Sequence, residues 1–272
     1  MSKYRLVRPK GNSPAGATKF NSTGFGVFKD DIISFPTRDE NGIRLVGDVV
    51  LKPDAKFFEF YHTSSKADAS FEVESEQDLI KITPKFTTQH PGNSVESREF
   101  LTAHMGRDVI LFVGQCDEDG YDVIGEICLP LQLVPSQTNN SDGKFFTLLW
   151  QAHGTTDLLN AFYDGNIIRS EVPVSSTASV SIDGAKSKVV RIAPANETAN
   201  IEFTLENVSH NDSITIVGSG GENPHTLKSG ETGSATTVLK NGTEWSALKD
   251  ASITLKYIDG GSKQYLVEVA RG

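Results

Sequence analysis

Six histidines are the residues of this chain best suited to acid–base or metal chemistry. They are His62, His90, His104, His153, His210 and His225. None lies in an HExxH or His-x-His motif, and no two have ligand spacing on a predicted helix. We therefore expect each histidine to pack or to face solvent. No serine lies in a GxSxG motif either, so we predict that the protein is not an enzyme and uses no cofactor or metal.

Two loops carry residues that superficially match ion-binding motifs. Residues 117–122 (DEDGYD) place carboxylates and a glycine in a row. They lack the twelve-residue spacing and the terminal glutamate of a calcium loop. Residues 218–221 (GSGG) follow a predicted strand, but neither a Lys-Ser/Thr pair nor a helix follows them. We predict a solvated hairpin turn for the first loop and a flexible tip for the second.

The two cysteines, Cys116 and Cys128, are too few for a disulfide framework and lack zinc-site spacing. If the strands around residues 117–120 pair as a hairpin, the two thiols lie several rungs apart. That separation does not permit a disulfide without breaking the register. We expect two free thiols, buried or half-buried.

The stretch 57–84 (FFEFYHTSSKADASFEVESEQDLIKITP) predicts a long β-hairpin around which the first half of the chain is organised. Odd positions from 69 to 75 are mostly apolar, whereas even positions from 70 to 76 hold a serine and three glutamates. This period of two puts apolar groups on one face and carboxylates on the other. The chain turns at residues 76–78, and residues 79–84 form the β-branched return strand.

One α-helix is predicted after this hairpin. Asn93 and Glu96 form a capping box, and Gly106 closes the segment. The rest of the first half is predicted as strands, with a loop at residues 135–144 before the last one. From residue 166 onward, seven short strands recur with glycine or Asx turns, as expected of an Ig-like β-sandwich.

These patterns predict a mainly β fold in three parts. Residues 1–26 form a basic arm, rich in proline, glycine and small polar residues. Residues 27–165 form a β-sandwich or barrel domain with the long hairpin and the helix. Residues 166–272 form the Ig-like β-sandwich. The sequence has no apolar run of the ~18 to 20 residues that a membrane span needs, so we expect no span and assembly in a cytoplasm.

The formal charge of −9 is unevenly distributed. Residues 1–29 have six basic side chains and no acidic one, whereas residues 30–165 have a net charge of −13 and residues 166–272 of −2. A basic arm beside an acidic body favours contact with the acidic surface of a neighbouring copy. The candidate contact residues are Lys3, Arg5, Arg8 and Lys10. Nucleic acid is the alternative partner, but the acidic body would repel a polyanion.

The order of these features resembles the tail tube proteins of long-tailed bacteriophages. The resemblance covers residues 2 to about 163 and is carried by the hairpin FEVESEQDLIKI, the helix NSVESREFLTAHMG and the strand pair DVILFVGQ and YDVIGEICL. The remaining residues match the Ig-like domain that some of these proteins carry. The tube protein of type VI secretion systems shares the same plan but does not usually carry the extra domain.

The resemblance implies a structural virion protein whose copies form stacked homohexameric rings. The hairpins would merge into a continuous β-barrel through which DNA passes without specific binding, because a wall of carboxylates repels DNA weakly everywhere. The candidate lumen-lining residues are Glu72, Glu74, Glu76 and Asp78. The arm and the loop 135–144 would bind adjacent rings, and the sandwich would decorate the outside. The expected location is the virion tail, assembled in the host cytoplasm, with other tail proteins as further partners.

Two other functions fit the same sequence. A capsid or head-decoration protein would use the arm and the sandwich without a channel. A carbohydrate-binding or adhesive module would present Trp245 and Tyr257 as stacking platforms for a sugar. Burial of both side chains would exclude that module, and we expect Trp245 to lie in the core.

Overall fold

A computed structural model describes residues 19–76, 79–116, 119–141 and 143–272, with the backbone alone at residues 75 and 76. The fold is mainly β, as predicted. Within the described residues, one α-helix is present. Residues 1–18 of the predicted arm and residues 117–118 of the predicted acidic turn lie outside these ranges.

The strands of the first half are β1 (Phe20–Phe28), β2 (Ile32–Ser34), β3 (Thr37–Arg38), β4 (Leu45–Val46), β5 (Val50–Leu51), β6 (Phe58–Tyr61), β7 (Asp68–Glu76), β8 (Leu79–Pro91), β9 (Val109–Gln115), β10 (Tyr121–Ile124), β11 (Leu131–Asn140), β12 (Gly143–Ala152) and β13 (Ala161–Tyr163). Those of the second half are β14 (Val174–Ser175), β15 (Ser179–Asp183), β16 (Val189–Ile192), β17 (Glu202–Glu206), β18 (Ser213–Val217), β19 (Thr226–Leu227), β20 (Gly230–Thr232), β21 (Ala235–Val238), β22 (Trp245–Ser246), β23 (Ser252–Asp259) and β24 (Gln264–Arg271). The helix α1 spans Val95–His104, and short 3-10 turns lie at Lys29–Asp31, Ser64–Lys66 and Lys240–Gly242.

The chain forms two compact units, each built from separate stretches of sequence. The described part of the first unit comprises residues 19–30, Arg38–Leu45 and Phe57–Asp164. The second unit comprises Asp31–Thr37, Val46–Lys56 and Gly165–Gly272. The sequence prediction treated 27–165 as one continuous domain, and it did not foresee that two segments of this range belong with the C-terminal residues.

The first unit is a curled antiparallel sheet in the order β13-β10-β9-β11-β12-β8-β7, with β1 pairing with both β9 and β6. Residues 20–26 are therefore a central strand and not part of the predicted arm. The sequence of β1 includes Gly24 and Gly26, which face Phe60 and Phe58 in register. Glycine at these positions leaves room for the two phenyl rings to lie over the strand.

Two hairpins form one half of this sheet. In the first, β7 pairs with β8 from Asp68↔Thr87 to Glu76↔Leu79, which confirms the predicted pairing and extends the return strand to Pro91. Residues 77–78 of the predicted turn lie outside the described residues. The hairpin begins at Asp68 and not at Phe57 as predicted, because β6 pairs with β1. In the second, β11 pairs with β12 along its whole length. The loop predicted at residues 135–144 was wrong, because most of it belongs to these two strands. Proline and polar residues are tolerated there because residues 135–139 of β11 pair with β12 alone among the described strands.

The helix α1 begins one residue later than predicted. Its N-cap is Ser94, whose side-chain oxygen accepts a hydrogen bond from the backbone N–H of Ser97 (3.3 Å), and not Asn93. Gly106 ends the segment with a positive φ of 71°. The side chains of Phe100 and Leu101 pack on the core of the first unit.

The second unit contains a seven-stranded sheet in the order β14-β16-β18-β23-β24-β21-β20. The seven predicted strands correspond to β15, β16, β17, β18, β21, β23 and β24. One hydrophobic core includes Phe203, Trp245 and Leu255. The sheet mixes parallel and antiparallel neighbours, for example β16 with β18 and β18 with β23. An Ig fold has two antiparallel sheets, so the Ig-like assignment is not confirmed.

Asp48 explains why an early segment belongs to the second unit. Its carboxylate is buried and accepts hydrogen bonds from the backbone N–H of Asn166 (2.9 Å), the Asn166 side-chain amide (2.7 Å) and the Thr215 hydroxyl (2.7 Å). A buried carboxylate requires such donors. Arg191 adds a hydrogen bond to the carbonyl oxygen of Leu51 (2.9 Å).

The glycine loop 218–221 is a packed segment and not the predicted flexible tip. A Cβ atom at Gly218 would lie 2.3 Å from the backbone oxygen of Leu248, and one at Gly221 would lie 2.2 Å from that of Ala195. These glycines therefore allow backbone segments to approach each other closely.

Candidate assembly surface

Strands β11, β12, β8 and β7 lie side by side in this order and are here called the hairpin sheet. Among the strands that the structure describes, β7 pairs with β8 alone. The outer side of β11 pairs with β9 at Leu131 and forms a bridge to Met105 at Leu133. Beyond that bridge, the described backbone of residues 134–139 pairs only on the β12 side. Within the part of the chain that the structure describes, the hairpin sheet thus has an open edge on each side.

One face of the hairpin sheet is polar. Glu72 and Glu74 are exposed on this face. Uncharged hydrogen-bonding side chains continue it across the other strands: Thr83, Thr87, Gln89, Gln132, Ser136, Thr138, Thr147 and Gln151. Its apolar members are Leu79, Pro91, Val134, Phe145 and Leu149. This composition is that of a sheet face in contact with water.

Two lysines of the return strand share this polar face with the glutamates. Lys85 forms an ion pair with Glu72, and Lys81 lies opposite Glu74 in the register. The hydrogen bond and charge of Lys85 hold the pKa of Glu72 below its usual range, so that carboxylate is ionised at neutral pH. The two lysines offset two of the three described carboxylates of this face, Asp68, Glu72 and Glu74, so the face is less acidic than the wall expected from the sequence. Alternation alone did not reveal the lysines, because the register between the two strands was not known.

The remaining predicted site residues are placed only in part. Glu76 pairs with Leu79 through its backbone, but its side chain lies outside the described residues. Asp78 and the arm residues Lys3, Arg5, Arg8 and Lys10 also lie outside them. Their roles stay predictions.

The opposite face of the hairpin sheet is apolar and packs on the core of the first unit. The rings of Trp150 and Phe58 lie 6.2 Å apart between their centroids, and Phe86 is fully buried in the same cluster. Toward the turn of the first hairpin, this face extends past the core. There Phe71, Val73 and Ile80, here called the apolar tip, are 42%, 53% and 57% exposed.

A cleft opens at the other end of β8, between α1, β6 and the hairpin sheet. We call it the helix cleft; its volume is about 220 Å³. Its walls are mainly apolar and include Tyr61, Phe100, Leu101, Phe146 and Leu148. At the same site, His90 Nδ1 donates to the carbonyl oxygen of Tyr61 (3.0 Å), and its Nε2 lies 2.9 Å from Ser97 Oγ. His90 thereby links β8, β6 and α1.

Comparison with known proteins gives no further guide to function. No protein-family model, no curated protein and no solved structure matches the chain.

The alternative of a sugar-binding surface loses the residues on which it depended. Trp245 and Tyr257 are only 4% and 5% exposed, so neither ring presents a stacking face. The prediction that Trp245 lies in the core is confirmed.

The described part of the chain contains no group of three His, Cys, Asp or Glu side chains arranged to hold a metal ion. No helix there has the length and apolar character of a membrane span. Cys116 and Cys128 are free, as predicted, but both are exposed and not buried.

Proposed function

We propose that this chain is the structural subunit of a bacteriophage tail tube, in which copies join side by side through the hairpin sheet. The observation that carries the proposal is the open edge on each side of that sheet. An exposed edge is a template for pairing with another chain, and β7 offers nine residues without a proline. Pairing between copies would satisfy the backbone groups of both edges.

The strand directions permit the same junction at every copy. Each neighbour in the hairpin sheet is antiparallel, so β7 runs opposite to β11 across the four strands. When a second copy is placed beside the first by rotation, its β11 lies antiparallel to the first copy's β7. A heterologous contact of this kind closes into a ring when the rotation divides a full turn.

The two open edges are also offset along the strands. The position of each edge can be expressed as a position along β8. The middle of β7, Glu72, lies beside Thr83 of β8. The middle of the open part of β11, Gln137, lies beside Phe146 of β12, which in turn lies beside His90 of β8. Seven residues of β8 separate these levels, a distance of about 23 Å. An offset between successive copies matches the tilt of about 35–45° that strands adopt in closed barrels.

The polar face of the hairpin sheet would line the channel of such a ring, because the opposite face is occupied by the core. Thr, Ser and Gln side chains would contact the water in the channel. Because Lys85 is paired with Glu72 and Lys81 lies opposite Glu74, the wall offers DNA few unpaired cations. Such a wall supports passage of a polyanion without tight binding.

Electron microscopy of negatively stained full-length protein at rising concentration tests the proposal. We expect rings, with six copies as the resemblance implies, and tubes at the highest concentration. Removal of residues 1–18 tests the arm in the same images, and we expect it to shorten the tubes. A monomer at every concentration would contradict the ring and favour a decoration protein.

An edge variant tests the junction itself. Ile82 exchanges backbone hydrogen bonds with Thr156 on the side away from β7, so the N–H of its partner Val73 points to the open edge. Val73→Pro removes that donor and should abolish rings while the protein stays folded. Val73→Thr keeps the donor and the β-branched shape, and it should still form rings.

A further inference from the structure

The two ends of β8 carry complementary features on one face. Ile80 and His90 are both at even positions and lie on the core-facing side of the strand, ten residues or about 33 Å apart. The apolar tip lies at the first end, and the helix cleft lies at the second.

The apolar tip has the character of a surface that is covered in an assembly. Phe71 and Val73 lie opposite Pro84 and Ile82, so the tip continues the row of side chains that forms the core farther along the sheet. Ile82 and Pro84 are still buried, whereas Phe71, Val73 and Ile80 around them are exposed. A contiguous apolar patch of this kind marks an interaction surface.

The helix cleft has the size and lining to receive such a side chain. Its floor is formed by Leu101, Phe146 and Leu148, which are buried, and its rim includes the exposed ring of Tyr61. Apolar cavities of about 150 Å³ hold a benzene ring, so a cleft of about 220 Å³ has room for a phenyl side chain.

We propose that the apolar tip of one copy enters the helix cleft of the next copy, with Phe71 between α1 and β12. Tip and cleft are different surfaces at opposite ends of one strand. The contact is therefore head-to-tail and repeats along the strand direction without closing. This inference rests on the proposed function and adds to it the contact that joins successive rings. It leaves the backbone edge of β7 available for pairing within a ring.

A pair of cysteines tests the contact in the full chain, with Cys116 and Cys128 replaced by serine. Ile80→Cys and Ser97→Cys place thiols at the tip and at the cleft. Ser97 contacts His90, so within one chain the two sites are separated by nearly the full ~33 Å of β8, far beyond the ~7 Å that a disulfide spans between Cα atoms. Any disulfide must join two copies, and we expect a ladder of polymers under non-reducing conditions.

The matched control combines Glu74→Cys with Ser97→Cys, which puts the thiol at the same tip but on the polar face. This pair should give no ladder. Equal ladders from both pairs, or none from the first, would overturn the inference.

A second variant separates stacking from ring formation. Phe71→Ser should leave the subunit folded and the rings intact, because Phe71 is 42% exposed and is not part of the core of the first unit, but should weaken stacking at least about tenfold. If Phe71→Ser stacks normally and stacking is lost only when residues 1–18 are removed, the inference is overturned. The proposed ring would not be affected by that result. A cysteine ladder without any rings would contradict the proposed function and still support the head-to-tail contact.

Discussion

Gly24 shows how a single missing side chain makes room for an aromatic core. A Cβ atom built at this position would lie 2.4 Å from the Cζ atom of Phe60. Gly24→Ala should therefore displace the ring and lower the free energy of unfolding by about 1–3 kcal/mol. Urea denaturation measures the change. Ser22→Ala, at an exposed position of the same strand, should change it by less than about 0.5 kcal/mol.

His62 makes stability depend on pH. Its side chain is fully buried, and neither ring nitrogen has a hydrogen-bond partner among the described residues. Burial lowers the pKa of His62 below its ordinary value of 6.5, so below that pH the unfolded chain binds a proton that the folded chain excludes. Stability should therefore fall as pH decreases through 6.5.

The urea midpoint measured between about pH 7 and pH 5 tests this pH dependence. His62→Leu should flatten the dependence, but only in part, because burial also lowers the pKa of His104, aided by the charge of Arg107. Phe86→Leu gives the control: its ring lies 5.7 Å from that of His62 in the same core, and the change removes no titratable group, so it should lower stability and keep the slope of the unmodified protein. An unchanged slope in His62→Leu would contradict the prediction.

The cap of α1 gives a prediction at the scale of the element. Ser94→Ala removes the acceptor of the Ser97 N–H and should cost about 0.5–2 kcal/mol of stability. The sequence pattern predicted Asn93 as the N-cap. Asn93→Ala should therefore reduce stability clearly less than Ser94→Ala does. Thermal unfolding of the two variants compares them, and an equal or larger loss from Asn93→Ala would restore the cap expected from the sequence.

Strands whose apolar and polar residues alternate were predictable from the sequence. Strands that mix apolar residues with glycine, serine, threonine or proline were not. The alternation at residues 69–76 gave the hairpin, and the seven C-terminal strands followed from β-branched runs between turns. β1 was missed because its serine, threonine and glycines (NSTGFG) are typical of a loop. The polar end of β11 was missed for the same reason. Both strands are specified by partners distant in sequence, such as Gly24 with Val113, which local patterns do not reveal.

At the scale of the whole molecule, the second unit should not fold fully from residues 165–272 alone. That fragment lacks Val49, Val50 and Leu51, which are buried, and it leaves Asn166 and Thr215 without Asp48. We expect a broad thermal transition, at lower temperature than in the full chain, measured by calorimetry. A sharp transition at the temperature of the full chain would show that the early segments are dispensable.

The candidate surface was likewise only partly predictable from the sequence. The alternation placed Glu72 and Glu74 on an exposed face. Their lysine partners and the open edge of β11 depend on strand order and register, which a single sequence leaves undetermined. The helix cleft is formed by residues from α1, β6, β8 and β12, which are distant in sequence, so no local sequence motif predicts it.

The early position of residues 46–56 has a consequence for synthesis of the protein. At about 5–20 residues per second, the ribosome adds residue 272 roughly 10 to 40 seconds after residue 56. Throughout that interval Val49, Val50 and Leu51 lack the C-terminal residues with which they form the second unit. The nascent chain therefore carries an apolar segment whose packing partners have not yet been synthesised. A chain released early would keep that segment exposed to chaperones and proteases.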